Sequence, residues 1–188
     1  MDGRASEVVG QGEPTMSLLE LQYWPAEVLR IVASPVTEFD AALQTTLEDM
    51  AETMYVERGI GLAAPQVGIS KRMIVIDTPI ADEESSQLEA LINPEIIESS
   101  GELIWEEGCL SFPGLTVDIT RKETIRVRFQ DHKGAWHEMD AAGLKAVCIQ
   151  HELDHLNGIN FIDHVSPLKR KLLLRELKKN LTELGVET

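Results

Sequence analysis

Residues 150–158 read QHELDHLNG, and this stretch limits the fold more than any other. On an α-helix His151 and His155 lie four residues apart and project from one face. Leu144, Val147, Ile149 and Leu153 make the same segment apolar, so it reads as a buried helix starting after Gly143. Two imidazoles and a carboxylate inside such a helix are costly unless a metal or polar partners meet them. Histidines at this spacing can grip one transition-metal ion, while Glu152, next to His151, reaches a water on that metal. The fold must then carry a third ligand to the helix from elsewhere, and Cys109, within EEGCLSFPG at 106–114, is the candidate. The pattern is that of a metal-dependent hydrolase.

At 188 residues the chain is long enough for one domain with a real core. No run approaches the roughly 20 apolar residues of a membrane span, so no membrane partner is expected. Residues 1–16 are polar and glycine-rich, and they include Asp2, Glu7 and Glu13. They lack the apolar core of a secretory signal, and their acidity is unlike a transit peptide. They read as a disordered N-terminal extension or an expression remnant, with residues 17–188 as one catalytic domain in the cytoplasm. Two cysteines, Cys109 and Cys148, do not make a disulfide framework, which favours metal binding for Cys109.

The net charge of −15 argues against DNA or general nucleic-acid binding, yet it is unevenly spread. Residues 167–180 hold six basic side chains (Lys169, Arg170, Lys171, Arg175, Lys178, Lys179) against Glu176, a net +5 that leaves −20 elsewhere. Leucines 168, 172, 173, 174 and 177 give this stretch helical periodicity. Two readings stand: a solvated C-terminal helix, or a patch aimed at a polyanion.

A coarse pass predicts a long amphipathic helix at 38–58 (Phe39, Leu43, Leu47, Met50, Met54), with Gly59 as its C-cap. A glycine- and proline-containing loop follows at 59–68. Strands are expected at 72–77, at 90–98 around Asn93-Pro94, and at 124–130. The last of these turns at 132–134 and returns through Trp136, His137 and Glu138. Helices at 141–157 and 167–184 complete an α+β fold, with antiparallel β-sheets around a central HExxH helix. The stretch 82–87 reads as a polar loop. The glycine loop carries no GxxxxGK[ST] and is no phosphate cradle. It lets backbone approach a ligand, and Gln66 within it offers a neutral amide donor able to stabilise an oxyanion.

Three segments together resemble the peptide deformylase family: GIGLAAPQ at 59–66, EGCLS at 107–111 and QHELDH at 150–155. All three stand intact and in the family's order. With a helical C-terminus and no insertion after Gln66, the chain is similar to the compact bacterial subtype. The resemblance implies Cys109, His151 and His155 as metal ligands, Glu152 as general acid/base, and Gln66 with the Leu110 N–H as the oxyanion site. It implies a methionine pocket at Ile60, Leu144, Val147 and Cys148, with Gly61 and Gly108 also binding substrate. Thr116 stands where some relatives carry an arginine at the pocket rim, and Lys145 lies beside a pocket residue. The implied metal is Fe²⁺, with Ni²⁺, Co²⁺ or Zn²⁺ able to substitute. The implied partners are N-formyl-methionyl nascent peptides, and the ribosome through the basic helix at 167–180.

Rival readings make distinct demands. One group of HExxH zinc endopeptidases places a third histidine at position 161, where this chain has Phe161. Another uses a downstream glutamate, for which Glu176 is the candidate. A closed structural metal site needs a fourth ligand, for which Cys148 is the candidate. His132, His137 and His164 read as surface residues without a role.

Overall fold

In the computed structural model, which describes residues 17–79 and 87–186, the run Met73–Ile76 is buried at every position. The cause is that both faces of its sheet are covered. The strands, in chain order, are β1 (Gly61–Ala63), β2 (Met73–Ile76), β3 (Glu89–Ser100), β4 (Leu103–Gly108), β5 (Thr116–Arg121), β6 (Thr124–Gln130) and β7 (Trp136–Ala142). They form a five-stranded sheet of order β1-β2-β3-β6-β7 and a separate β4-β5 ribbon, and every pairing is antiparallel. The helices are α1 (Ala41–Val56), α2 (Gly143–Leu156) and α3 (Pro167–Glu183).

Side chains alternate across a strand, and here each parity meets a different helix. Met73, Val75, Leu62 and Ile92 pack with Leu43, Leu47, Met50 and Met54 of α1. Ile74, Ile76, Leu91, Val127 and Ala141 pack with Ala146, Ile149, Leu153 and Leu156 of α2. A third cluster joins Val117 and Ile119 of β5 to Leu173, Leu177 and Leu181 of α3, with Phe112 and Phe161 between them. The fold is thus α+β with antiparallel sheets, as expected, and the HExxH sequence lies on α2. The expectations for residues 1–16 fall outside the described residues, as does the loop at 82–87 apart from Gln87.

Several local expectations are corrected. Asp40 caps α1, its carboxylate accepting from the Leu43 N–H at 2.9 Å, and the helix is shorter at both ends than 38–58. Gly59 does not take the left-handed position that ends α1; Arg58 does, with φ 59°. The Gly59 N–H returns to Met54 O at 2.8 Å and the Arg58 N–H to Tyr55 O at 3.0 Å, which satisfies the last carbonyls. Gly59 instead packs closely under Leu110, whose Cδ1 would lie 2.9 Å from a Cβ there and would have to shift.

The supposed loop at 59–68 contains β1 and a 3-10 turn, Ala64–Val67. Strand β3 outruns 90–98 because register shifts at Ile92/Glu95 and Ile96/Glu98 absorb the irregularity of Asn93-Pro94. The Asn93 side chain there accepts from the Val36 N–H and donates to Val36 O, each at 2.9 Å. β4 and β5, which carry Cys109 to the site, were not anticipated at all.

Candidate metal centre

α2 presents His151 and His155 one turn apart, with ring centroids separated by 5.0 Å. Cys109 follows directly on β4 and brings its Sγ to 3.2 Å from His155 Nε2. One ligand atom from each of Cys109, His151 and His155 lies within 4.8 Å of the others. Among the described residues this is the one such grouping. Cys148 is not part of it: its thiol is directed at Ile60 O, 3.5 Å away, and both cysteines are free. Glu176, the ligand a rival reading needs, is exposed on α3 and also lies outside the trio.

The donor set fits a metal. His151 Nδ1 sits 2.7 Å from Glu107 Oε2, so its N–H can donate there and leave the Nε2 lone pair for a ligand bond. Burial, then the neighbouring His151, pushes His155 well below the usual histidine range. Burial acts the same way on His151, but contacts with Cys109 and the Glu107 carboxylate outweigh it and raise this group. A metal ion competes for that same lone pair. Three protein ligands leave room for a water or substrate oxygen, as catalytic sites require and closed structural sites do not.

Glu152 Oε2 is buried without a hydrogen-bond partner. A buried, unpaired polar atom carries its full desolvation cost, roughly 1–3 kcal/mol. Burial first, with the Glu107 charge adding and the His151 charge opposing, lifts its carboxyl to about 7. A group that exchanges a proton near neutrality is what proton transfer needs. Gln66 is oriented by its own backbone neighbourhood: Oε1 accepts from the Ala63 N–H at 2.8 Å. Its amide nitrogen therefore faces Cys109 Sγ at 3.6 Å and Ser111 Oγ at 3.4 Å. The Leu110 N–H, on the neighbouring turn, makes no backbone hydrogen bond among the described residues.

A cavity of about 710 Å³ opens over this centre. Gln66, Cys109, Leu110, His151 and Glu152 line it, whereas His155 does not and is 1% exposed. The expected pocket residues Ile60, Leu144, Val147 and Cys148 line it too, as do Gly61, Gly108 and Thr116. A Cβ on Gly61 would lie 2.6 Å from both Cys148 Sγ and Glu152 Oε1, so only glycine lets β1 approach α2 this closely. Lys145 pairs with Glu89.

Sequence reasoning missed the support behind the ligands. Glu107 is clamped by Arg121 (Nε–Oε1 2.6 Å, Nη2–Oε2 2.9 Å), and Arg121 Nη1 reaches Asp154 Oδ2 at 2.6 Å. His164, read as roleless, sits 2.7 Å from the same Asp154 oxygen. The signal available in HELDH was Asp154, a carboxylate on a largely buried helix and so a candidate for a cationic partner. Gln150, too, has a structural use, bonding both Lys122 backbone groups at 2.9 Å.

The chain is similar to known proteins over most of its length. The polypeptide deformylase family model matches residues 18–171. A peptide deformylase of Chromobacterium violaceum is 49% identical over 164 residues, which is 87% of this chain and 96% of the relative. The crystal structure of a peptide deformylase from Legionella pneumophila matches with a TM-score of 0.84 at 43% identity, covering 92% of this chain and 100% of that one. One from Synechococcus elongatus, in complex with actinonin, gives a TM-score of 0.77 at 43% identity over 90% and 89%. With the family model spanning most of its length and a near-full-length relative at this identity, the chain belongs to the peptide deformylase family.

Proposed function

We propose that the family's metal-dependent removal of the N-formyl group from new polypeptides is carried out here by Glu152, Gln66 and the Leu110 N–H beside a metal held by Cys109, His151 and His155. The observation that carries this reading is the trio of ligand atoms within 4.8 Å of one another, beside a buried Glu152 whose Oε2 has no hydrogen-bond partner. When bound, the metal would supply a Lewis acid that lowers the pKa of a water far below its bulk value, toward about 7. Glu152 takes the proton of the attacking water and returns it to the leaving amine, so the products are formate and a free N-terminus. Gln66 Nε2 and the Leu110 N–H donate to the former formyl oxygen as charge develops on it. Ile60, Leu144, Val147 and Cys148 receive the methionine side chain, while Gly61 and Gly108 let the peptide backbone come close.

The metal assigned is Fe²⁺. A thiolate with two imidazoles also accepts Ni²⁺, Co²⁺ or Zn²⁺, so the support is the family likeness rather than the ligand type. The enzyme works in the cytoplasm, where formylated chains emerge, and no described helix is long and apolar enough to cross a membrane. Residues 17–188 act as one catalytic domain behind the extension at 1–16. The basic helix α3 docks on the ribosome: Lys169, Lys171, Arg175, Lys178 and Lys179 are exposed, while Leu173, Leu177 and Leu181 hold the helix to the core.

The deciding experiment measures bound metal and formate release on a formyl-Met tripeptide. One metal per chain with stoichiometric formate is expected. Cleavage of internal peptide bonds without formate release would restore the endopeptidase reading.

A further inference from the structure

We propose that His164 is a positioning residue for His151, acting through Asp154, Arg121 and Glu107. The four contacts are continuous. His164 Nε2 lies 2.7 Å from Asp154 Oδ2, and Arg121 Nη1 lies 2.6 Å from that same oxygen. Arg121 then forks onto both Glu107 oxygens, at 2.6 and 2.9 Å, and Glu107 Oε2 lies 2.7 Å from His151 Nδ1. The chain runs from a partly exposed side chain (35%) through Asp154 (17%), Arg121 (5%) and Glu107 (3%) to the candidate ligand.

Each link restricts the next. A guanidinium is planar and offers its donors in a fixed fork, so fixing one edge fixes the direction of the other. Asp154 holds Arg121 Nη1, the nitrogen that Glu107 does not use, and so helps to set the plane in which the fork meets Glu107. The second donor on Asp154 Oδ2 is His164, and its own mounting is firm. It ends the 3-10 turn Phe161–His164, whose Phe161 and Ile162 are buried. Within that turn Asp163 accepts from the Asn160 N–H at 2.9 Å and pairs with Arg170 of α3 at 3.0 Å. Asp154 Oδ2 is thus steadied by an anchored second donor on the same oxygen that Arg121 uses.

Removing a direct outer partner of a ligating histidine costs roughly 10–100-fold in metal affinity, and a member three contacts farther out is expected to matter less, roughly 3–10-fold. The inference rests on the ligand assignment above, and cobalt separates the two. Co²⁺-loaded wild type should show a thiolate-to-cobalt absorption band. Its absence would overturn the ligand assignment and this proposal together. With the band present, transfer of cobalt to a chelator should be roughly 3–10-fold faster in His164→Leu than in wild type, with a shifted band. His164→Gln retains an N–H donor and should stay within about twofold of wild type. Equal cobalt loss in His164→Leu and wild type would overturn the proposal alone. So would equally fast loss from both variants, because the donor would then not be what matters.

Discussion

α2 and α3 are helices of 14 and 17 residues that solve opposite problems. α2 buries ten positions, and four of them, Gln150, His151, Glu152 and His155, are polar. α3 buries only Leu173, Leu177 and Leu181, and turns most of its basic residues to water. A buried polar group needs a specific partner, so each such residue of α2 implies another residue or a ligand. A solvated lysine implies nothing in particular, because the same leucines-in, lysines-out pattern serves a bare surface helix and a docking one. The lesson is that chemistry is readable from a sequence where polarity is costly, and ambiguous where it is free.

That contrast can be broken most forcefully at Arg121. Removing one partner of a buried ion pair leaves uncompensated charge and costs roughly 3–5 kcal/mol. Arg121→Leu takes the guanidinium from both Glu107 and Asp154, leaving each with a histidine alone, so its denaturant midpoint should fall by about that equivalent. Lys178→Gln on α3 should stay within about 0.5 kcal/mol of wild type. Comparable losses in the two variants would erase the distinction drawn between the helices.

A smaller effect concerns the apolar end of α2. Burying a methionine rather than an alanine side chain against Leu144, Val147 and Cys148 is worth about 2 kcal/mol, or roughly 30-fold in kcat/KM. Formyl-Met and formyl-Ala tripeptides measure this directly, and equal rates would remove the pocket.

The smallest effect lies on the surface at the β6–β7 turn. The hydrogen bond from His137 at 2.9 Å, aided by the Lys133 and Ala135 amides, holds the Asp131 carboxyl down at about 2. A depressed carboxylate contributes stability that is complete above its unfolded pKa of about 3.9 and is lost as pH falls through the folded value. Asp131→Asn should therefore lower stability slightly at neutrality, with its difference from wild type shrinking as pH falls from about 4 to about 2, which flattens the acid limb. An unchanged acid limb would mean the turn does not hold this bond in solution.

What could be read from the sequence follows the same division. The helix bearing His151 and His155 was legible because polar residues recur at i and i+4 in an apolar segment, and Cys109 because a third ligand was required. The β4–β5 ribbon was not legible. β4 carries Trp105, Glu106 and Ile104 on largely exposed positions and shows no clean alternation, although β5 alternates strictly. β1 spans three residues inside a glycine-rich stretch, too short for any periodicity to register. The Glu107–Arg121–Asp154–His164 network joins groups that are 14, 33 and 10 residues apart, and only the folded chain brings them together. Gly59 does not supply the left-handed turn that its place after the helix suggests; Arg58 does.

The central claim is that α2 separates two duties on adjacent residues, with His151 holding the metal and Glu152 moving protons. Metal stoichiometry and formate release from a formyl-Met tripeptide, measured on the same preparation of Glu152→Ala, test it most directly. The account predicts a full complement of metal, with hydrolysis reduced by several orders of magnitude. A variant that lost its metal, or that kept most of its activity, would contradict it.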